Sequence, residues 1–149
     1  MKKILLFSVL LFILSCKKDP FYESINGFKE ETLSPESMGE WRWVSSSGGF
    51  AGITLFNDTT SKNILTINAN KTYKWCKSDT CTTGKWFLGS RQSSNPRYTD
   101  TLLFFQQPKV KTNFPFTFDL HKPIRIADTL ILLDNCNDCF AHKLIKVKK

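Results

Sequence analysis

The chain has 149 residues, 41% of them hydrophobic and 13% aromatic, and a formal net charge of +8. That length supports one domain with its own core and is too short for two well-buried ones. The basic residues are scattered and form no aromatic-interleaved stripe, so nucleic acid is not an expected partner.

The amino end reads as an export signal. Met1-Lys2-Lys3 supplies a short positive segment, and Ile4 to Leu14 is apolar except for Ser8. Such a run is too short to span a bilayer and suits the core of a signal peptide. It leads into Ile13-Leu14-Ser15-Cys16, which resembles the lipobox of bacterial lipoproteins. That resemblance implies cleavage of a signal peptide spanning residues 1–15, with lipidation of the Cys16 thiol to make it the first mature residue. The expected partner of this end is therefore a membrane, reached through a lipid anchor, with Lys17 and Lys18 at the headgroups. The expected location is the cell envelope, by default the periplasmic face of an outer membrane, with surface exposure left open.

From Pro20 to Met38 no apolar periodicity is sustained, and turn-forming residues recur in "SINGFKEETLSPESMGE". Residues 16–38 read as a lipidated tether with one short helical turn around Lys29 to Leu33. A third region, residues 39–149, carries the folded domain.

Within that domain short apolar runs alternate with turn residues, and the abundance of Phe, Thr, Asn and Ser over Ala suits sheet. A first strand opens at Trp41 and Trp43 and ends at the Ser45 to Gly49 cluster. Leu65, Ile67 and Ala69 alternate with polar neighbours, Asn70-Lys71 makes a turn, and Tyr73 and Trp75 resume the alternation, as in a hairpin. Trp86 and Leu88 follow Gly84. After the polar loop "GSRQSSNPR" a longer strand runs from Tyr98 to Gln106. Pro108, Pro115 and Pro123 confine Phe114, Phe116 and Phe118 to an edge strand or extended loop. Thr129 to Leu133 is continuously apolar, as in a strand covered on both faces, and Phe140 to Val147 closes the chain. About eight strands in this length leave an all-β fold with two architectures, a closed antiparallel up-and-down β-barrel, favoured by the local hairpin order, or a two-sheet β-sandwich.

Gly39-Glu40-Trp41 resembles the Gly-x-Trp of lipocalins, and residues 39–149 are similar to small lipocalin-like domains of envelope lipoproteins. In lipocalins that tryptophan packs across the closed end of the barrel under a basic side chain from the last strand. The resemblance makes Lys146 or Lys148 the candidate here.

Cys16 accounts for the odd cysteine, leaving Cys76, Cys81, Cys136 and Cys139 for disulfides in an oxidising compartment. Cys76 and Cys81 flank "KSDT" as neighbours across a hairpin; Cys136 and Cys139 flank a tight turn, and cross-pairing stays open. Spacing and compartment both disfavour zinc on these four thiols, and no lowered thiol pKa is expected for a redox role. The run from Asp134 to Asp138 lacks the spacing and glycine of a calcium loop and reads as a solvated turn. His121 and His142 are the two histidines, and His142, in a predicted strand, reads as a surface or core position rather than a general base. No cofactor or metal is expected, and with no nucleophile elbow, zinc-protease pair or phosphate loop, neither is catalysis.

Two functions fit. One is a membrane-anchored, non-catalytic barrel holding a small apolar ligand, with Trp41, Trp43, Tyr73, Trp75 and Trp86 as candidate lining residues. The other is a structural or interaction lipoprotein with a filled barrel that binds another envelope protein through loops such as Ser45 to Gly52 or Leu88 to Arg97.

Overall fold

Burial alternates along the strands with the period of two that a one-sided sheet requires. Trp41 and Trp43, then Leu65 and Ile67, then Tyr73 and Trp75, are buried at alternate positions. A computed structural model describes residues 20–49, 51–56, 63–106, 120–135 and 139–148. Cys16, Pro108, Phe114, Pro115, Phe116, Phe118 and Cys136 lie outside the described residues.

The strands are β1 (Lys29–Glu30), β2 (Gly39–Gly48), β3 (Ile53–Phe56), β4 (Asn63–Ile67), β5 (Thr72–Lys77), β6 (Thr80–Gln92), β7 (Thr99–Phe105), β8 (Leu120–Ile126), β9 (Thr129–Asp134) and β10 (Phe140–Lys146). Eight of them, β2 and β4 to β10, close antiparallel into a barrel, with β10 returning to β2 and β6 joined to β7. This is the up-and-down barrel, and the sandwich alternative falls away. β3 pairs with Ser45–Gly48 on the same edge of β2 that β4 occupies at Gly39–Arg42.

Three local expectations change. The serine cluster after Val44 does not end the first strand: β10 and β3 flank it on both edges, so its backbone is held in ladders despite weak strand propensity. Pro123 lies inside β8, opposite Leu132. The β7 ladder reaches only Leu120 and His121, so beyond them β8 has an edge where a residue lacking an N–H is tolerated. In β9, Leu130 and Leu132 are buried while Ile131 and Leu133 are only half-buried, because one face lines the barrel and the other forms its wall.

The described part of the expected tether is docked. Helix α1 (Pro20–Ser24) lies on the outer wall, where Phe21 is buried with Leu102 and Phe104 and packed by Ile25, Phe28 and Phe87. The expected helical turn at Lys29–Leu33 is instead β1, paired with Gly89 and Ser90 of β6. Leu33 is buried in the barrel core, and a 3-10 turn at Pro35–Ser37 precedes β2. Isolated apolar residues spaced to suit the wall, rather than any period, bind this segment.

One glycine shows how tightly the interior is filled. Gly84 sits opposite Tyr73 in the β5–β6 ladder, and a Cβ there would lie 2.6 Å from the Tyr73 ring. The second Gly-x-Trp of the sequence, Gly84-Lys85-Trp86, thus seats a neighbouring aromatic ring.

Candidate functional site in the upper barrel

Register divides the interior into two levels. Gly39, Trp41 and Lys146 stand at one end with the Ile126–Thr129 turn; Ser46, Asp134 and His142 stand toward the other. Trp41, Tyr73 and Trp75 have no accessible surface, and Trp43 and Trp86 are 6% and 5% exposed. All five share one core cluster with Leu65, Leu103, Leu130, Leu132 and Leu144. Four of them place their polar atoms on protein partners. The indole N–H groups of Trp41, Trp43 and Trp86 donate to Ser37 O, Ser46 Oγ and Asn68 O, each at 2.9 Å, and the Tyr73 hydroxyl donates to Gln106 O at 2.6 Å. Burial pushes the Tyr73 hydroxyl pKa up.

Above this aromatic layer lies a polar one. His121 and His142 are fully buried, and the Asp134 side chain is 9% exposed. His121 is the second residue of β8, Asp134 ends β9 and His142 lies near the start of β10. Asp134 follows Leu130 and Leu132 at the same parity, so the alternation carries its carboxylate inward. His142 precedes Leu144 in the same way. Ser46 arrives by a different route. Pairing of β10 with β2 shifts between Lys143 opposite Ser45 and Leu144 opposite Trp43, leaving Val44 as the extra residue of a bulge. A bulge reverses the side-chain alternation beyond it, so Ser46 rather than Ser45 enters the core, opposite His142.

These groups form one chain of hydrogen bonds. Ser46 Oγ lies 2.6 Å from His142 Nδ1, His142 Nε2 lies 3.1 Å from Asp134 Oδ1, and His121 Nδ1 lies 2.9 Å from the same oxygen. An ionised carboxylate only accepts, so His142 donates to Asp134, while His121 Nδ1 faces the same oxygen at contact distance. Neutral His142 then carries its proton on Nε2, its Nδ1 accepts from the Ser46 hydroxyl, and Ser46 accepts from the Trp43 indole. Burial pushes the His142 pKa down to about 4, against the pull of Asp134. For Asp134, burial raises the pKa, but the hydrogen bond from His121 and the adjacent imidazoles outweigh it and hold the carboxyl below its ordinary value.

The order hydroxyl, imidazole, carboxylate is that of an activated serine. Ser46, however, is fully buried, so its Oγ presents no surface to a substrate carbonyl. The arrangement suits coordination better: one donor atom from each of His121, Asp134 and His142 lies within 4.8 Å of the others.

Cys76 and Cys81 form a disulfide across the β5–β6 hairpin, whose ladder continues to Lys77 and Thr80 and so shortens the expected loop to Ser78-Asp79. Cys139 is disulfide-bonded as well. Lys146 Nζ lies over the Trp41 ring, the place the lipocalin resemblance implies for a basic last-strand residue, whereas Lys148 pairs with Asp128 at 3.2 Å.

No family model, curated protein or solved structure matches the chain. Among the sequence candidates, the five aromatics converge in one core. The solvated turn expected at Asp134 is corrected for that residue, whose carboxylate lies inside the barrel mouth. The partnership of Asp134 with His121, His142 and Ser46 was outside the sequence reading, although the shared parity of Leu130, Leu132 and Asp134 was a usable signal.

Proposed function

We propose that this chain is a lipid-anchored envelope protein whose barrel acts without catalysis, by binding another envelope protein. Of the two expected occupants, protein is favoured over a small apolar ligand by one observation. The five aromatics that would line a ligand site present almost no surface that even a water molecule could touch. Four of them also have their polar atoms satisfied by the protein itself. A ligand would have to displace packed rings whose contacts are already at interior density.

The contact surface is assigned to the β6–β7 hairpin. Its tip from Ser94 to Arg97 is exposed, and Tyr98 beside it is 64% exposed. Tyrosine and arginine are favoured at protein interfaces because each combines a broad flat surface with a polar end. The hairpin is held by Gln92, whose side-chain amide donates to Pro96 O and Tyr98 O, and by the backbone bond from Ser93 N to Tyr98 O. It is therefore pre-shaped, which lowers the ordering cost of binding.

The test is native mass spectrometry of the full chain extracted from its host envelope in mild detergent, with a photo-crosslinker placed at Tyr98. The expected result is an acylated chain beginning at Cys16, free of stoichiometric apolar adducts, and one discrete protein crosslink. A stoichiometric apolar molecule released on denaturation would replace this reading with that of a carrier. A chain that crosslinks nothing and carries nothing would remove both.

A further inference from the structure

We propose that His121, Asp134 and His142 form a binding site for one divalent transition-metal ion of the zinc class. The donors come from three consecutive barrel strands, so the hydrogen-bonded wall fixes their relation before any ion arrives. His121 Nδ1 and His142 Nε2 stand 2.9 Å and 3.1 Å from Asp134 Oδ1. Zinc takes nitrogen and oxygen ligands at roughly 2.0–2.2 Å, and tetrahedral ligands on bonds of that length are about 3.3 Å apart. The donor triangle needs to open by only a few tenths of an ångström on these two edges. Two imidazoles with one carboxylate suit zinc and its neighbours and are a poor set for calcium or magnesium, which prefer oxygen.

Proton balance also works. Each imidazole can bind the ion while staying neutral by moving its proton to the other ring nitrogen. In His142 that proton arrives on Nδ1, which faces Ser46 Oγ at 2.6 Å. Ser46 Oγ then accepts from both His142 and Trp43. A ligating histidine whose second nitrogen donates to a fixed acceptor is the usual outer-shell arrangement of metal sites, and here the Val44 bulge supplies that acceptor.

The cost of the cluster points the same way. Filling this level of the barrel with aliphatic side chains would avoid burying two imidazoles and a carboxylate. A coordinated ion gives the polar set a use that packing alone does not. Three protein ligands leave a fourth position for water or an incoming donor. The thiols are not rivals among the described residues, since Cys76, Cys81 and Cys139 are held in disulfides.

The test uses the full chain in detergent, oxidised, stripped with a chelator and dialysed against zinc sulfate, with bound metal counted per chain. One equivalent is expected. Asp134→Asn and His121→Asn should each lose it, and Ser46→Ala should weaken it by about 10–100-fold, the range for outer-shell partners. Zinc absent from the unaltered chain, or retained equally by Asp134→Asn, would overturn the site. If the variants fail to fold, cobalt(II) on the unaltered chain decides. Visible d–d bands without a thiolate charge-transfer band are expected, and a thiolate band or no spectrum would refute it.

Discussion

Lys146 Nζ lies 4.4 Å from the centroid of the Trp41 indole and donates at 2.8 Å to Glu36 O and, beside it, to Met38 O. One cation thus joins the last strand, the first long strand and the 3-10 turn that precedes it, while the Trp41 N–H reaches Ser37 O in the same turn. Lys146→Met keeps the stem and removes the charge. Losing a partly desolvated cation–π contact and charge-assisted bonds to two carbonyls should cost about 2–3 kcal/mol in urea unfolding. Lys148→Met, at an exposed ion pair, should change stability by about 0.5 kcal/mol or less. Equal effects from the two would refute this division of roles.

The buried imidazole makes stability fall with acidification. His142 is lowered from 6.5 to about 4 in the folded chain, so the unfolded chain takes up its proton first. Its contribution is complete above pH 6.5 and is lost as pH falls toward 4, by about 3 kcal/mol. Asp134, lowered from 3.8, acts in the same direction in a lower window, its contribution being lost as pH falls below that value. Urea midpoints measured with chelator present should drop between pH 7 and 4. His142→Gln should be less stable at pH 7 and nearly flat over the same range. A midpoint of the unaltered chain that does not move across this range would contradict the assignment.

Gly84 is needed for space rather than for backbone freedom, because the Tyr73 ring occupies the volume where a Cβ would stand. Gly84→Ala must shift that ring, which is also tied through its hydroxyl to Gln106 O and packs edge-on to Phe105 at 5.2 Å. A cost of about 1–3 kcal/mol is expected from overpacking. Tyr73→Phe in the Gly84→Ala background should recover only part of it, since it removes the hydroxyl oxygen 2.9 Å from the new Cβ and leaves the ring carbon at 2.6 Å. Full recovery would assign the strain to the hydroxyl rather than to the ring.

The aromatic layer was legible because its signal is local. Trp41 and Trp43, Leu65 and Ile67, and Tyr73 and Trp75 each obey a period of two, and Asn70-Lys71 marks the turn between the latter pairs. The polar layer was not, for two reasons. Ser46 and His142 are 96 residues apart and meet only when β10 closes on β2. The Val44 bulge then reverses the parity that Trp41 and Trp43 establish, so simple alternation points to Ser45 and misses Ser46. The docked segment before β2 was hidden for a related reason: Phe21, Phe28 and Leu33 follow the shape of a distant wall rather than a repeat of their own.

The proposed lipidation of Cys16 predicts a processing defect that is separable from folding. On that proposal Cys16→Ser removes the thiol that would accept the lipid, so the variant should accumulate as an uncut precursor, with residues 1–15 visible by intact mass. Disulfides in the barrel should form in that precursor if it still reaches the oxidising side. A variant cut before residue 16 without any lipid would refute the lipobox reading and leave an ordinary signal peptide.

The Cys76–Cys81 bond closes a loop with a sequence separation of 5, across a hairpin that already pairs at Cys76–Cys81 and at Lys77–Thr80. Its effect on the unfolded chain is therefore small, on the order of 2 kcal/mol at most by loop entropy. The paired backbone around it, with Trp75 buried next door, should keep the hairpin in register without it. The double variant Cys76→Ser with Cys81→Ser should stay folded, lose no more than that amount in urea, and exchange the amides of Cys76 to Thr82 faster than those of Tyr73 and Trp75. Global unfolding of this variant would show that the upper hairpin depends on the bond and not on the ladder and core beneath it.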